Sequence, residues 1–360
     1  MPEIPLVDVK AQYERLIPEI LARMRMVLDS GTFILGPNVK AFEQEAADHL
    51  GIPRTVGVAN GTDALVIALD AMEIGPGDEV ICPSFTFYAT AEAIARRGAT
   101  PVFADIDPAT LNLDPEDVAA RVTQRTRALI PVHLFGRPMP LDGLAKLEVP
   151  ILEDAAQAFG AEGVAKVGIA STFSFFPTKN LFGLGDGGLI ATTDEQLADR
   201  IALLRFHGSR EKKQFEAIGY NSRLDELQAA VLRLFLSELD GWNRARREAA
   251  ARYEELGLGE LCELPADEPA HVYHMYVVRS PERDRLREAL AAAGIGHASY
   301  YVTPLHLQPA LRYLGTPEGS LPETERAARE NLALPMWAGI PPETQERVVA
   351  TIREAAAVNA

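Results

Sequence analysis

Cysteine is almost missing from this chain: Cys82 and Cys262 stand alone and far apart in 360 residues. That excludes a disulfide framework and a cysteine-rich zinc site, and no metal is expected. No apolar run is long enough to span a bilayer, and the opening residues MPEIPLVDVKAQYERL carry neither a basic n-region nor an apolar h-region. The expectation is a cytoplasmic protein without membrane contact. Positive charge is also scarce. The 35 Lys and Arg face 51 Asp and Glu, for a net charge of -16, which repels polyphosphate surfaces and argues against nucleic-acid binding. Internal repeats and low-complexity segments are lacking.

What is present is a globular composition, 47% hydrophobic and 24% charged, on a chain longer than one core usually supports. Two domains sharing an interface are expected: an N-terminal segment and large domain over 1–235, and a small C-terminal domain over 236–360. After an amphipathic helix around 9–29, short β-branched runs alternate with helical patterns, the rhythm of a parallel sheet. The strand candidates are TVGVA (55–59), EVICP (79–83), TPVFADI (100–106), ALIPVHL (128–134), PILEDA (150–155), STFSFF (171–176) and GLIATT (188–193). Helical patterns near 62–72, 86–97 and 114–122 are long enough for crossovers. From Arg223 to about Leu256 the pattern reads as one long helix, bent or broken near Gly241, linking the two domains. Beyond it, HVYHMYVVRS, RDRLREALAAAG, GHASYY and a last helix near 342–358 form a smaller α+β unit.

Ligands of such sheets collect at the carboxyl ends of the strands. After TVGVA comes Asn60-Gly61-Thr62-Asp63, where a glycine allows close approach and a helix start presents free N–H groups to a phosphate; the same residues also make a good helix cap. After EVICP come Ser84, Phe85, Thr86, Phe87 and Tyr88, and Phe87 could lie flat on a planar ring or pack in the core. Glu153 and Asp154 end the next strand, and a carboxylate there is costly unless a cation meets it. Gln157 follows. STFSFFPTKNLFGLGDGGLIATT (171–193) contains only two charged side chains, Lys179 and Asp186. Its Gly183, Gly185 and Gly188 satisfy G-x-G-x-x-G, but they run into a β-like segment rather than opening a helix, so a dinucleotide-binding turn is not expected. A lysine in apolar surroundings is available as a neutral nucleophile toward a carbonyl. Phosphate cradle, flat aromatic, buried acid and amine together are what pyridoxal 5'-phosphate requires.

In this order LDSGTFILGPNVKAFEQEAADHLG, VGVANGTDALVIAL, GPGDEVICPSFTFYATAEAI, GATPVFADID, HLFG, EDAAQAFGA, FSFFPTKNLFGLGDGGLI, RFHGSREKK, GYNSRLDELQAAVL and YYVTPLHLQPAL resemble the DegT/DnrJ/EryC1/StrS family of sugar aminotransferases, within the fold type I pyridoxal phosphate enzymes. The resemblance covers nearly the whole chain. It implies an α/β fold with a mostly parallel seven-stranded sheet, helices on both faces, and a smaller C-terminal α+β domain. It implies that Lys179 forms the Schiff base with the cofactor and later shuttles a proton, and that Asp154 pairs with the pyridinium nitrogen. Gln157 would sit near the phenolic oxygen, Phe87 on the ring, and Gly61, Thr62 and Ser174 on the phosphate. Asn221 matches the asparagine that reaches the neighbouring subunit's phosphate site, so the active site would exist only in a homodimer. The implied reaction moves the amine of L-glutamate to a keto sugar carried on a nucleoside diphosphate. Arg223 and His306 are the foremost candidates for substrate contact, with Arg205, His207, Arg210, Lys212 and Lys213 as further cations. Lys179 argues against the family's dehydratases, in which a histidine replaces the lysine. Ser222-Arg223-Leu224-Asp225 after Asn221 looks more like the enzymes acting on 3-keto than on 4-keto sugars. Another pyridoxal phosphate reaction and a non-catalytic regulatory relative are the alternatives.

Overall fold

The computed structural model describes residues 3–357. Seven strands build its large sheet: β1 (Arg54–Val58), β2 (Glu79–Pro83), β3 (Thr100–Ala104), β4 (Thr126–Leu129), β5 (Leu152–Asp154), β6 (Ala170–Ser174) and β7 (Gly188–Thr192). Ladders join β1-β7-β6-β5 and β3-β2-β4. Parallel bridges from Leu129 to Ile151 and from Val132 to Asp154 connect the halves, giving the order β3-β2-β4-β5-β6-β7-β1. Only β7 runs antiparallel to its neighbours, so the sheet is mostly parallel, as expected. Every position of β2 and β7 is buried, the mark of strands covered on both faces. Several strands are shorter than the apolar runs that announce them. The run 128–134 ends its regular strand at Leu129 and continues beside β5 only through the bridge of Val132 to Asp154.

The helices Ile17–Ser30, Pro37–Leu50 and Glu226–Leu236 cover one face, in a core with Phe42, Phe173, Leu189 and Phe235. The helices Gly61–Ala71, Ala89–Arg96 and Glu195–Leu204 cover the other, against Val56, Leu152, Ala170 and Ile190. Two expected helices are divided. The N-terminal one is split into Val9–Tyr13, a 3-10 turn and Ile17–Ser30, since Pro18 lacks the N–H needed to continue a helix and is tolerated only in its first turn. The helix expected from Arg223 to Leu256 is two, Glu226–Leu236 and Leu239–Glu255. Asp225 caps the first, accepting from Gln228 N at 2.8 Å, which leaves Arg223 outside it. The break falls at Ser237, whose hydroxyl donates back to Leu234 O at 2.6 Å. Gly241, the expected breakpoint, lies inside the second helix.

The antiparallel pair β8 (Tyr276–Arg279) and β9 (Asn331–Leu334) packs with Leu239–Glu255, Arg283–Ala292 and Pro342–Ala357 around Tyr253, Val278, Leu290, Leu332 and Ile352. Ile4 bridges Ile295 and joins the chain start to this layer. Of the last helix expected at 342–358, residue 358 lies outside the described residues. No described helix is long and apolar enough to cross a membrane.

Candidate active site

Strand register assembles the first part of the site. Gly188, which opens β7, pairs with Val58 at the end of β1 and with Ser174 at the end of β6. The start of the helix Gly61–Ala71 is thereby brought against Ser174. A Cβ on Gly61 would lie 2.7 Å from Ser174 Cβ, so only glycine allows this approach. Asn60 caps the helix, its Oδ1 accepting from Asp63 N at 2.8 Å, and Asn60 O accepts from Ala64 N at 3.1 Å. Among the described residues this leaves the amides of Gly61 and Thr62 as the free donors of the first turn, beside the Ser174 hydroxyl and at the positive end of the helix dipole. The arrangement suits a phosphate. Gly188 starts a strand, so the glycine triplet forms no dinucleotide turn.

Glu153 and Asp154 are both buried, but neighbours in a strand face opposite ways. Glu153 serves the fold. It accepts from His133 Nε2 at 2.9 Å, Ala165 N at 2.8 Å and Gly168 N at 2.7 Å. Met139 N donates to His133 Nδ1 at 2.9 Å, so the ring proton lies on Nε2, toward Glu153. Burial pushes the Glu153 carboxyl up, but His133 and the two amides outweigh it and hold it below the usual range. Asp154 accepts from the Thr90 hydroxyl at 2.8 Å and from Ala156 N at 3.2 Å. Burial raises its pKa, with Thr90, Ala156 and Lys179 opposing. A buried carboxylate held by neutral donors is suited to a cationic partner, and the pyridinium N–H of pyridoxal phosphate is one.

Lys179 sits in a tight turn after β6, its N–H donating to Phe176 O at 2.8 Å. The next residue anchors the turn: Asn180 Nδ2 donates to Asn243 Oδ1 at 2.7 Å and to Val272 O at 2.8 Å. Burial lowers the Lys179 pKa to about 8, with Asp154 pulling it back up. Burial thus favours the neutral amine that can attack a carbonyl. The Nζ lies 3.5 Å from Nε2 of His274, a residue the sequence placed only within the C-terminal α+β unit.

Gln157 Oε1 accepts from Phe135 N at 2.7 Å, and its Nε2 donates to the Tyr301 hydroxyl at 3.3 Å. Burial drives the Tyr301 phenol well above its ordinary pKa, keeping it a hydroxyl. Phe87 is 58% exposed, its ring centroid 6.3 Å from that of Tyr301. Thr90 and Tyr301 were not singled out in the sequence. Thr90 follows Thr86 by four positions in the hydroxyl-rich stretch after β2, and Tyr301 lies within YYVTPLHLQPAL; those placements were the available signals.

The remaining candidates divide. Asn221 is exposed on a segment bridged to Phe206. Arg223 and Lys212 both lie over the Phe206 ring, at 5.6 and 4.9 Å. Arg205 is engaged inside the protein by Glu43 and Gly57 O. Arg210 pairs with Glu216 and Lys213 with Glu211 within the same exposed loop as His207. His306 is not open to a substrate: it is buried, with Nδ1 2.7 Å from the Ser84 hydroxyl and Nε2 3.2 Å from Glu325. Its backbone N also donates to Ser84 Oγ at 3.0 Å, so it ties the segment carrying Tyr301 to the end of β2.

A seven-stranded sheet of this order, with a recessed lysine, a buried aspartate and a phosphate cradle at its strand ends, defines a fold type I pyridoxal-phosphate-dependent enzyme. The family model of the DegT/DnrJ/EryC1/StrS aminotransferase family matches residues 14–353, and the chain belongs to that family. A dTDP-3-amino-3,4,6-trideoxy-alpha-D-glucose transaminase from Streptomyces venezuelae is 44% identical, over 98% of this chain and 96% of that protein. A Geobacillus stearothermophilus protein named pleiotropic regulatory protein is 47% identical, over 98% of each. The crystal structure of S. venezuelae DesV in complex with a ketimine intermediate superposes with a TM-score of 0.95 at 45% identity, over 99% of both chains. The protein is a pyridoxal-phosphate-dependent sugar aminotransferase.

Proposed function

We propose that this enzyme moves the amino group of L-glutamate to the 3-keto group of a hexose carried on a nucleoside diphosphate. The observation that carries the reading is the meeting of Lys179, Asp154 and the Gly61–Thr62–Ser174 cradle at the strand ends. The 3-keto assignment is supported by the 3-amino sugar in the name of the Streptomyces relative and by Ser222-Arg223-Leu224-Asp225 after Asn221; amination of a 4-keto sugar is the alternative.

When bound, pyridoxal phosphate supplies an electron sink for the substrate carbon. The chain's own residues do the rest. The amides of Gly61 and Thr62 and the Ser174 hydroxyl would hold the phosphate, and Asp154, steadied by Thr90, would keep the ring nitrogen protonated. Phe87 would cover one ring face. Gln157, fixed between Phe135 N and Tyr301, would lie beside the phenolic oxygen. Lys179 would hold the cofactor through its amine and, once free, would take up and return the proton at the substrate carbon, a task suited to an amine whose pKa burial lowers.

Asn221, exposed in the single chain, completes the phosphate site of a second copy. Leu21, Met26 and Leu28, each more than half exposed, form apolar surface that such a homodimer would cover. Arg223 supplies local positive charge for the substrate diphosphate in an otherwise acidic protein. Its setting is the cytoplasm, in keeping with two unpaired thiols. The test is spectroscopic and then preparative. L-glutamate should bleach the visible cofactor band, and a panel of dTDP-, UDP- and GDP-linked 3-keto and 4-keto sugars should restore it only with the true acceptor. A band that no amino donor shifts would overturn the reading.

A further inference from the structure

His274 reaches the site from the segment before β8 and is buried. Its Nε2 lies 3.5 Å from Lys179 Nζ, at the outer limit of a hydrogen bond, a length common before substrate tightens a site. Its Nδ1 is buried without a partner among the described residues. Arg246, also buried, donates to the carbonyls of Tyr273 at 3.1 Å and His274 at 3.5 Å, and to Gln12 Oε1 at 2.8 Å. It therefore fixes the backbone that carries the imidazole.

We propose that His274 is the positioning residue of Lys179, a neutral imidazole whose Nε2 accepts a hydrogen bond from the ε-nitrogen and seats it whenever the lysine is free of the cofactor. The proposal rests on the assignment of Lys179 as the reacting amine. Two positive groups face the ring, Lys179 from the turn after β6 and Arg246 from the helix Leu239–Glu255. Both oppose an imidazolium, and burial opposes it more. Asp154, the other charged group felt by the lysine, favours its protonated form. A neutral ring that accepts through Nε2 carries its proton on Nδ1. The acceptor stabilises the protonated lysine and so limits how far burial depresses its pKa. It also fixes the direction in which the lone pair is offered.

The test uses the full chain without cofactor. Lysine amines are acetylated competitively across a pH series, and the extent at Lys179 is read by peptide mass spectrometry. The wild-type midpoint is expected near 8. His274→Leu should lower it by about one pH unit, and His274→Gln, which returns an acceptor near the place of Nε2, should restore it. In the loaded enzyme His274→Leu should cut kcat about tenfold and leave KM for the amino donor within about twofold. An unchanged midpoint in His274→Leu overturns the proposal. Should that variant not fold, 15N spectra of histidine-labelled wild-type protein decide. A neutral His274 with an unprotonated Nε2 is expected; a charged ring, or a proton on Nε2, overturns it. Failure of the Lys179 assignment would show separately, as cofactor bound to another residue of the wild-type chain.

Discussion

Thr90 donates its hydroxyl hydrogen to Oδ2 of Asp154 across 2.8 Å, with both side chains buried. The bond joins the first turn of one crossover helix to the end of β5 and favours the ionised carboxylate against the burial that raises its pKa. A hydrogen bond to a charged group contributes about 1.5–3 kcal/mol. Thr90→Val, which keeps the shape, should weaken pyridoxal phosphate binding about tenfold or more, as measured by absorbance titration of the cofactor-free protein.

Gly61→Ala probes the cradle. The added methyl would lie 2.7 Å from Ser174 Cβ, so the helix start and the end of β6 must separate, at about 1–3 kcal/mol of stability. Cofactor retention on dialysis should fall more sharply than the urea midpoint, because the free amides of Gly61 and Thr62 are displaced together.

Glu153→Gln should leave the chemistry intact and damage the fold. The carboxylate anchors the loop from Ala165 to Gly168 and His133, and losing such charge-assisted hydrogen bonds costs about 1.5–3 kcal/mol. Its folded-state pKa is lower than in the unfolded chain, so its contribution is present above the ordinary carboxylate range and disappears as pH falls through the folded value. Urea denaturation from pH 7 downward should show wild type losing stability more steeply on acidification than Glu153→Gln.

Asn221→Ala should release the cofactor more readily while preserving the chain's own Lys179. Mixed with Lys179→Ala, it should regain activity from the one intact site in each mixed dimer. Activity of the mixture against that of either variant alone measures the shared site.

The strand ends were legible because parallel strands are written as continuous apolar runs and their ligand-binding residues follow directly. Gly61, the Glu153–Asp154 pair and Lys179 could therefore be located near strand ends by position, while the resemblance picked out Asp154 and Ser174. Which of Glu153 and Asp154 faces the site was not legible, since the sequence shows no partners; the loop after Ala165, with His133, settles it. His306 lay in a conspicuous motif, yet it is buried between Ser84 and Glu325, contacts more than 200 and about 20 residues away along the chain. His274 and Tyr301 come from the C-terminal part, which folds back onto strand ends formed far earlier in the chain. No local periodicity encodes that meeting. The long helix breaks at Ser237 rather than at Gly241, because the serine hydroxyl competes for the helix carbonyls.

The most direct measurement is to fix the cofactor with borohydride in the purified enzyme and map the label by peptide mass spectrometry. A pyridoxyl group on the peptide carrying Lys179, and its loss in Lys179→Ala with the fold retained, is the predicted result. A label on a different lysine, or turnover of Lys179→Ala at the wild-type rate, would contradict it.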